Sequence, residues 1–173
     1  MKEIKEYDIA AKTFYAKQHV NSLPLGSWDL FSSRYNRLCH GLDEINILKN
    51  LAISKKWIDH SFFEREILKK DSTVVVTDSQ LNIVHASETI FDMNGYHPEE
   101  IIGKKPKIFQ GKDTCKKTAS AIRSAIEREE PFEVTILNYR KDGSTYNCWI
   151  KGLPIHNAKG KLVNFIAFER EVA

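Results

Sequence analysis

The sequence predicts an α+β fold, a five-stranded antiparallel sheet with helices on one face, preceded by a helical extension. Three observations predict it: apolar residues at helical spacing before residue 55, strand-like segments after residue 71, and tight turns between the last three strands. Strands and helices do not alternate regularly, so a parallel nucleotide-binding sheet is not expected. One face of such a sheet, lying under helices, can enclose a pocket.

The extension is predicted to contain an amphipathic helix over residues 38–54. Apolar residues recur there at helical spacing, and the resulting stripe comprises Leu38, Leu42, Ile45 and Leu48. An isolated helix of this length is marginal in water. We therefore expect the stripe to pack on the sheet or against a second copy of the chain.

The predicted organisation has three parts. Residues 1–57 form the helical extension, residues 58–70 form a helix that leads into the core, and residues 71–173 form the core domain. Ser61 and Glu64 are spaced as in a capping box, which indicates where the leading helix begins.

The core domain begins with two strand-like runs, STVVVTD and LNIVHAS. Helices are expected next, in SETIFDMNGY, HPEEIIG and the longer segment DTCKKTASAIRSAIEREE. Three strands follow, in FEVTILNYR, STYNCWIKGLPIH and KLVNFIAFERE. Lys141-Asp-Gly and Asn157-Ala-Lys-Gly are turn sequences that join these strands as hairpins.

Composition and charge exclude several classes of protein. The chain of 173 residues is 42% hydrophobic and 28% charged, as expected of a globular domain, and its net charge of +3 does not indicate a nucleic-acid or membrane partner. We expect no signal peptide at the N-terminus, which carries acidic residues and no long apolar run, and no apolar run in the sequence approaches the roughly 20 residues of a membrane helix. Three widely spaced cysteines argue against a disulfide framework and favour a cytoplasmic location.

Motifs for catalysis and metal binding are absent from the sequence. The six histidines are scattered, without the ligand pairs of a zinc site, and there is no P-loop or nucleophile elbow. Six lysines between residues 104 and 117 form a basic cluster, but acidic residues follow directly, which favours a solvated loop over a nucleic-acid site. We therefore expect a protein that is not an enzyme and that binds no metal.

Four segments, in order, resemble the PAS domain family: GYHPEEIIGK, GKKPKIFQG, NYRKDGSTY and GKLVNFIAFERE. The second is similar to the G-x-N-C-R-F-L-Q-G signature of the LOV (light, oxygen or voltage) branch. The resemblance extends from about residue 82 to the end of the chain. It implies the PAS fold, a sensory role and a pocket that holds flavin mononucleotide (FMN).

The signature departs from the LOV pattern at its centre. LOV domains carry there the cysteine that attacks the flavin ring in light, whereas this chain has Pro106. Proline has no nucleophile, so the resemblance implies that the covalent step is absent at this position. We expect Pro106 to begin a helical turn instead.

The resemblance also implies contacts at the phosphate end of the flavin. Lys107 replaces an arginine of the signature, and it keeps the charge as a point rather than as a bidentate fork. Arg123 matches a second phosphate-binding arginine. Gln110 matches the glutamine that contacts the ribityl chain. Without the resemblance, Lys107 and Arg123 would be interpreted as solvated surface charges.

At the ring end of the flavin, two of three implied contacts are altered. Asn138 matches the first of two asparagines that pair with the pyrimidine edge, although it could equally satisfy a backbone group. Cys148 replaces the second asparagine, and Glu169 replaces a glutamine on the last strand. Loss of two hydrogen bonds would lower flavin affinity about ten- to a hundredfold.

Three functional hypotheses follow. The first is a sensory or regulatory PAS module that binds a small molecule or a partner signalling protein and works as a homodimer. The second is a flavin photoreceptor that signals by photoreduction without a cysteinyl adduct. The third is a structural interaction domain whose pocket is filled by Trp149, Phe165 and Phe168.

Overall fold

The computed structural model of the chain describes residues 26–58, 63–67 and 72–173. The chain divides into two compact units, residues 1–38 and residues 39–173, and the second contains the whole sheet. The Ser61 capping box lies outside the described residues, as does the part of the predicted extension that precedes residue 26. The domain boundaries predicted at residues 57 and 70 therefore stay predictions.

The described helices are short, apart from the first and the last. They are α1 (Gly26–Lys55), α2 (Phe63–Ile67), α3 (Thr89–Asn94), α4 (Pro98–Ile101) and α5 (Lys116–Glu127). A 3₁₀ turn, Pro106–Phe109, lies between α4 and α5. Pro106 begins this turn as predicted, because its fixed φ suits a first helical position and its missing N–H is not needed there.

Five strands form one antiparallel sheet in the order β2-β1-β5-β4-β3. They are β1 (Thr73–Asp78), β2 (Ile83–Ala86), β3 (Phe132–Tyr139), β4 (Thr145–His156) and β5 (Leu162–Val172). The two predicted hairpins turn at Gly143 and Gly160, whose φ angles of +86° and +71° favour glycine. The predicted fold class is confirmed.

The first face of the sheet is covered by α3, α4, α5 and the 3₁₀ turn, and we call it the helical face. Its buried apolar residues form one cluster, contributed by both the strands and the helices. The cluster includes Val75, Ile83, Ala86, Ile90, Met93, Ile101, Phe109 and Ile136.

The opposite face is covered by α1 from Cys39 onward. Ile45, Leu48 and Ala52 are buried there against sheet residues that include Val74, Val76, Ile155, Ile166 and Phe168. The prediction that this helix packs on the sheet is confirmed. Leu42 of the predicted stripe does not pack on the sheet, since it is 56% exposed, and its contact with a second copy of the chain stays a prediction. The buried stripe follows Ile45, Leu48 and Ala52, and Leu42 lies at its edge.

Two polar contacts join α1 and the residues after it to the sheet. The indole Nε1 of Trp57 donates to Asn164 Oδ1 at 3.0 Å, and Asn164 Nδ2 donates to the Thr77 carbonyl at 2.9 Å. Asn164 is fully buried, and these two hydrogen bonds satisfy both the oxygen and the nitrogen of its side-chain amide. On α1 itself, Glu44 Oε1 lies 2.7 Å from His85 Nε2 of β2.

The described ranges contain neither a membrane-crossing helix nor a cluster of metal-binding side chains. None of the helices in those ranges is both long enough and apolar enough to cross a bilayer. No group of three or more His, Cys, Asp or Glu residues in this part of the chain could hold a metal ion. The three cysteines are free thiols, of which Cys115 is exposed, Cys39 half-buried and Cys148 buried.

Candidate functional site

Five polar side chains are buried together on the helical face, and we call them the buried polar group. They come from α3, β3, β4 and β5, and each is at most 4% exposed. The members are Asn94, Asn138, Tyr146, Cys148 and Glu169. Burying so many polar groups in an apolar cluster is costly unless each finds a hydrogen-bond partner.

Strand register brings the sheet members of the group together. Asn138 lies directly opposite Tyr146 across the β3–β4 pair, so their side chains share a face. Cys148 is two residues beyond Tyr146 and therefore points the same way. Its Sγ lies 3.7 Å from Glu169 Oε2 on β5, within hydrogen-bonding distance for sulfur.

Two atoms of the group have no hydrogen-bond partner. They are Asn94 Nδ2 and the Tyr146 hydroxyl, both of which are buried. Burial, and then the nearby acidic groups of Cys148 and Glu169, raise the pKa of Tyr146 above its usual value, while the amides of Asn138 and Asn94 oppose the rise. Unpaired buried polar atoms cost about 1–3 kcal/mol each, so they call for an explanation.

Burial also controls the two acidic groups beside Tyr146. Desolvation raises the pKa of Glu169 to about 7, while a hydrogen bond with Cys148 opposes the rise. The pKa of the Cys148 thiol is raised far above its usual value, first by burial and then by the Glu169 carboxylate. Cys148 is therefore a neutral thiol, and a poor nucleophile.

The residues implied for a flavin phosphate lie at the surface. Lys107 in the 3₁₀ turn and Arg123 on α5 are exposed, and Gln110, directly after the turn, is half-buried. Neither Lys107 nor Arg123 forms an ion pair among the residues described here. The structure thus brings Asn138, Cys148 and Glu169 together but shows no contact between them and the three surface positions.

Sequence reasoning missed Asn94 and Tyr146. Asn94 precedes Gly95 at the end of a short helix, where an asparagine is usually interpreted as a helix terminus. For Tyr146 a signal existed, because strand alternation places it on the same face as Cys148. Two of the three aromatic residues expected to fill the pocket lie on the opposite face: Trp149 and Phe168 pack in the cluster under α1.

The profile of the PAS domain family matches residues 70–173, which is more than half of the chain. The chain belongs to the PAS domain family. The matched segment contains the whole sheet, the helical face and all five members of the buried polar group. The PAS fold expected from the four sequence segments is confirmed.

Relatives of this PAS domain include a phototropin and a blue-light-activated histidine kinase. Phototropin-2 of Oryza sativa subsp. japonica is 36% identical over 104 residues, which cover 58% of this chain and 12% of that protein. The blue-light-activated histidine kinase of Brucella ovis (strain ATCC 25840 / 63/290 / NCTC 10512) is 33% identical over 90 residues, which cover 52% of this chain and 18% of the kinase. The chain therefore spans less than a fifth of the length of either relative.

Among solved structures, a light-oxygen-voltage domain studied with a flavin analogue has a TM-score of 0.57 to this chain and 30% sequence identity. The superposition covers 59% of this chain and 78% of that one. Both comparisons point to the LOV branch of the family. The chain is a sensory, signal-transducing PAS module that is LOV-like in sequence and fold.

Proposed function

We propose that the buried polar group binds a small ligand with a flat heteroaromatic ring, and that this PAS module regulates a partner signalling protein by binding rather than by catalysis. The observation that carries the proposal is the pair of unpaired atoms, Asn94 Nδ2 and Tyr146 OH. If these two side chains served only to fill the core, apolar side chains at both positions would make the folded protein more stable. A ligand that accepts hydrogen bonds from both atoms would remove their desolvation cost.

The chemistry of the group narrows the class of ligand. Asn94 and Tyr146 can donate to a carbonyl oxygen, and Glu169 can accept from a ring N–H when it is ionised. Ile90, Ile136 and Phe109 are fully buried around the same cluster and offer apolar contact. This combination suits a flat ring with carbonyl and N–H groups along one edge.

Tyr146→Phe tests the proposal, because it removes the unpaired hydroxyl and keeps the ring. We expect the ligand-free variant to be more stable than the wild type by about 1–2 kcal/mol. We also expect its affinity for riboflavin, used as the probe, to be about tenfold lower. Urea unfolding and fluorescence quenching measure the two effects. Tyr139→Phe, at an exposed hydrogen bond to Asp113, is the matched control and should leave riboflavin affinity unchanged.

A loss of stability in Tyr146→Phe would mean that the hydroxyl already has a partner, which contradicts the observation behind the proposal. Equal riboflavin affinity in wild type and variant would exclude a ligand contact at Tyr146. Native mass spectrometry of the purified chain provides a third readout, in which we expect a bound small molecule.

FMN is the more specific candidate for the ligand, and the similarity of the chain to LOV domains supports it. Asn138 would bind the pyrimidine edge, Gln110 the ribityl chain, and Lys107 with Arg123 the phosphate. The donor set fits in part: both cations are exposed and lack ion pairs in the described structure, so they are available to an anion. Glu169 is compatible with a flavin carbonyl only when protonated, and its pKa of about 7 makes that form accessible.

Blue light should produce no cysteinyl adduct in FMN-loaded protein. Pro106 offers no thiol, and burial keeps the Cys148 thiol protonated. We expect only slow reduction of the flavin that depends on an added electron donor, measured by difference absorbance. Cys148→Ala is the matched variant. A bleached species that recovers in the dark, and that Cys148→Ala abolishes, would contradict this expectation.

The proposed working state is a homodimer in the cytoplasm. Leu42 and Ile53 of α1 are 56% and 70% exposed, and their spacing of 11 residues places them on one side of the helix. This apolar strip is available to a second copy of the chain, and sedimentation equilibrium measures the association.

A further inference from the structure

Arg140, directly after β3, connects three elements beside the buried polar group. Its Nη1 donates to the Met93 carbonyl at the end of α3, and its Nη2 lies 2.7 Å from Glu171 Oε1 on β5. Its guanidinium carbon lies 4.5 Å from the centre of the Tyr146 ring on β4. The Arg140 side chain is 24% exposed, so one side of it faces solvent while the other covers Tyr146.

A cleft of about 320 Å³ opens next to this arginine. Thr73, Thr89, Asp92, Met93 and Glu171 line it, and two of these residues, Met93 and Glu171, are partners of Arg140. The guanidinium therefore bridges two walls of the cleft.

The same walls adjoin the buried polar group. Glu171 lies directly opposite Cys148 across the β4–β5 pair, and Thr73 lies directly opposite Glu169 across the β1–β5 pair. Residues in such pairs share a face of the sheet, with Cβ atoms about 4.5–5.5 Å apart. Met93 is the neighbour of Asn94 in α3. The cleft therefore adjoins the buried polar group, and the Arg140 side chain contacts both the cleft walls and Tyr146.

We propose that Arg140 and Glu171 form a gate, and that the ligand of the buried polar group enters through this cleft when their ion pair opens. The inference rests on the proposed function, because it assigns an entrance to the same site. Opening requires only side-chain rotation, because the pair is partly exposed and its loss is cheap.

Cys148 provides a probe of the gate that needs no ligand. It is fully buried beside Glu171, and its neutral thiol reacts with N-ethylmaleimide only when the reagent reaches it and the thiol ionises. Cys39→Ser and Cys115→Ser in the full chain leave Cys148 as the only thiol. Mass spectrometry then follows the labelling of Cys148 in the folded protein.

We expect labelling to be about two- to fivefold faster in Glu171→Ala, because an exposed or half-exposed ion pair is weak. Arg140→Ala also removes the contacts with Met93 and Tyr146, so we expect Cys148 in this variant to be labelled about tenfold faster or more. Added salt should accelerate labelling with Glu171 present and have little effect in Glu171→Ala. Glu130→Ala breaks the Arg128–Glu130 ion pair, also 2.7 Å long, and should leave labelling unchanged.

If Cys148 were labelled through global unfolding rather than through the gate, the variants would rank differently. Leu48→Ala weakens the other face of the sheet and leaves the gate intact, so it should accelerate labelling less than Arg140→Ala does. If it accelerates labelling more, or if Glu171→Ala and Arg140→Ala label at the wild-type rate, the gate is overturned. Riboflavin binding is measured separately, so loss of the gate and loss of the ligand site are distinguishable outcomes.

Discussion

Replacing Glu169 with Gln should stabilise the ligand-free protein by about 3 kcal/mol at pH 8 and have little effect at pH 4.5. The reason is the buried carboxyl, whose pKa rises from the usual 4.5 to about 7. That difference corresponds to about 3 kcal/mol, at ~1.4 kcal/mol per pKa unit. Gln has nearly the same shape and cannot ionise.

The direction follows from proton binding. Below pH 4.5 the carboxyl is protonated in both the folded and the unfolded chain, and stability does not depend on it. Between pH 4.5 and about 7 the unfolded chain ionises first, so the free energy of unfolding falls as the pH rises. Above pH 7 both states are ionised and the loss is complete. Wild-type stability should therefore fall across this window, and Glu169→Gln should remove that fall.

Urea unfolding at pH 4.5, 6 and 8 measures the effect. Glu127→Gln, an exposed carboxylate on α5, is the matched control and should change stability by less than about 0.5 kcal/mol at every pH. If Glu169→Gln and wild type lose stability in parallel, the pKa of Glu169 is the same in the folded and the unfolded chain. Its burial would then be compensated by a contact that the structure does not contain.

Leu48→Ala should destabilise the protein by about 2–5 kcal/mol, the usual cost of a cavity in a close-packed core. Leu48 is fully buried where α1 meets the sheet, in one cluster with Trp57 and Ile166. Leu42→Ala removes the same atoms from a side chain that is 56% exposed and should cost less than about 0.5 kcal/mol. Urea unfolding of the full chain compares the two variants.

Equal and small effects of Leu48→Ala and Leu42→Ala would mean that α1 detaches from the sheet without loss of the core. Equal and large effects would mean that Leu42 is buried in the assembled protein, as it would be if a second copy covered it. Sedimentation equilibrium of Leu42→Ala separates that case from a change within one chain.

Much of the fold was predictable because its signals are local. The β-branched run of β1, the glycine turns at Gly143 and Gly160, and the helical turn at Pro106 each follow from a few neighbouring residues. The predicted stripe that includes Leu42 also rests on a local pattern. Helical periodicity defines a stripe, but only the sheet decides which edge of that stripe is covered.

The site was less predictable because it depends on strand register. Cys148 and Glu169 are 21 residues apart in sequence, and their contact requires the alignment of β4 with β5. The unpaired state of Asn94 is not encoded by its neighbours at all, since it depends on which groups the folded core fails to bring near it. The LOV resemblance supplied Asn138, Cys148 and Glu169, and the structure added Asn94 and Tyr146.

The sheet separates the buried polar group from α1 by the thickness of one polypeptide backbone. Glu169 points to the helical face, and Phe168, the residue before it on β5, packs in the cluster under α1. Cys148 and Trp149 of β4 are divided between the two faces in the same way. A ligand that displaces either strand by a fraction of an ångström must therefore move both surfaces together. The strands themselves would carry such a displacement to the cluster under α1, without a chain of intervening side chains.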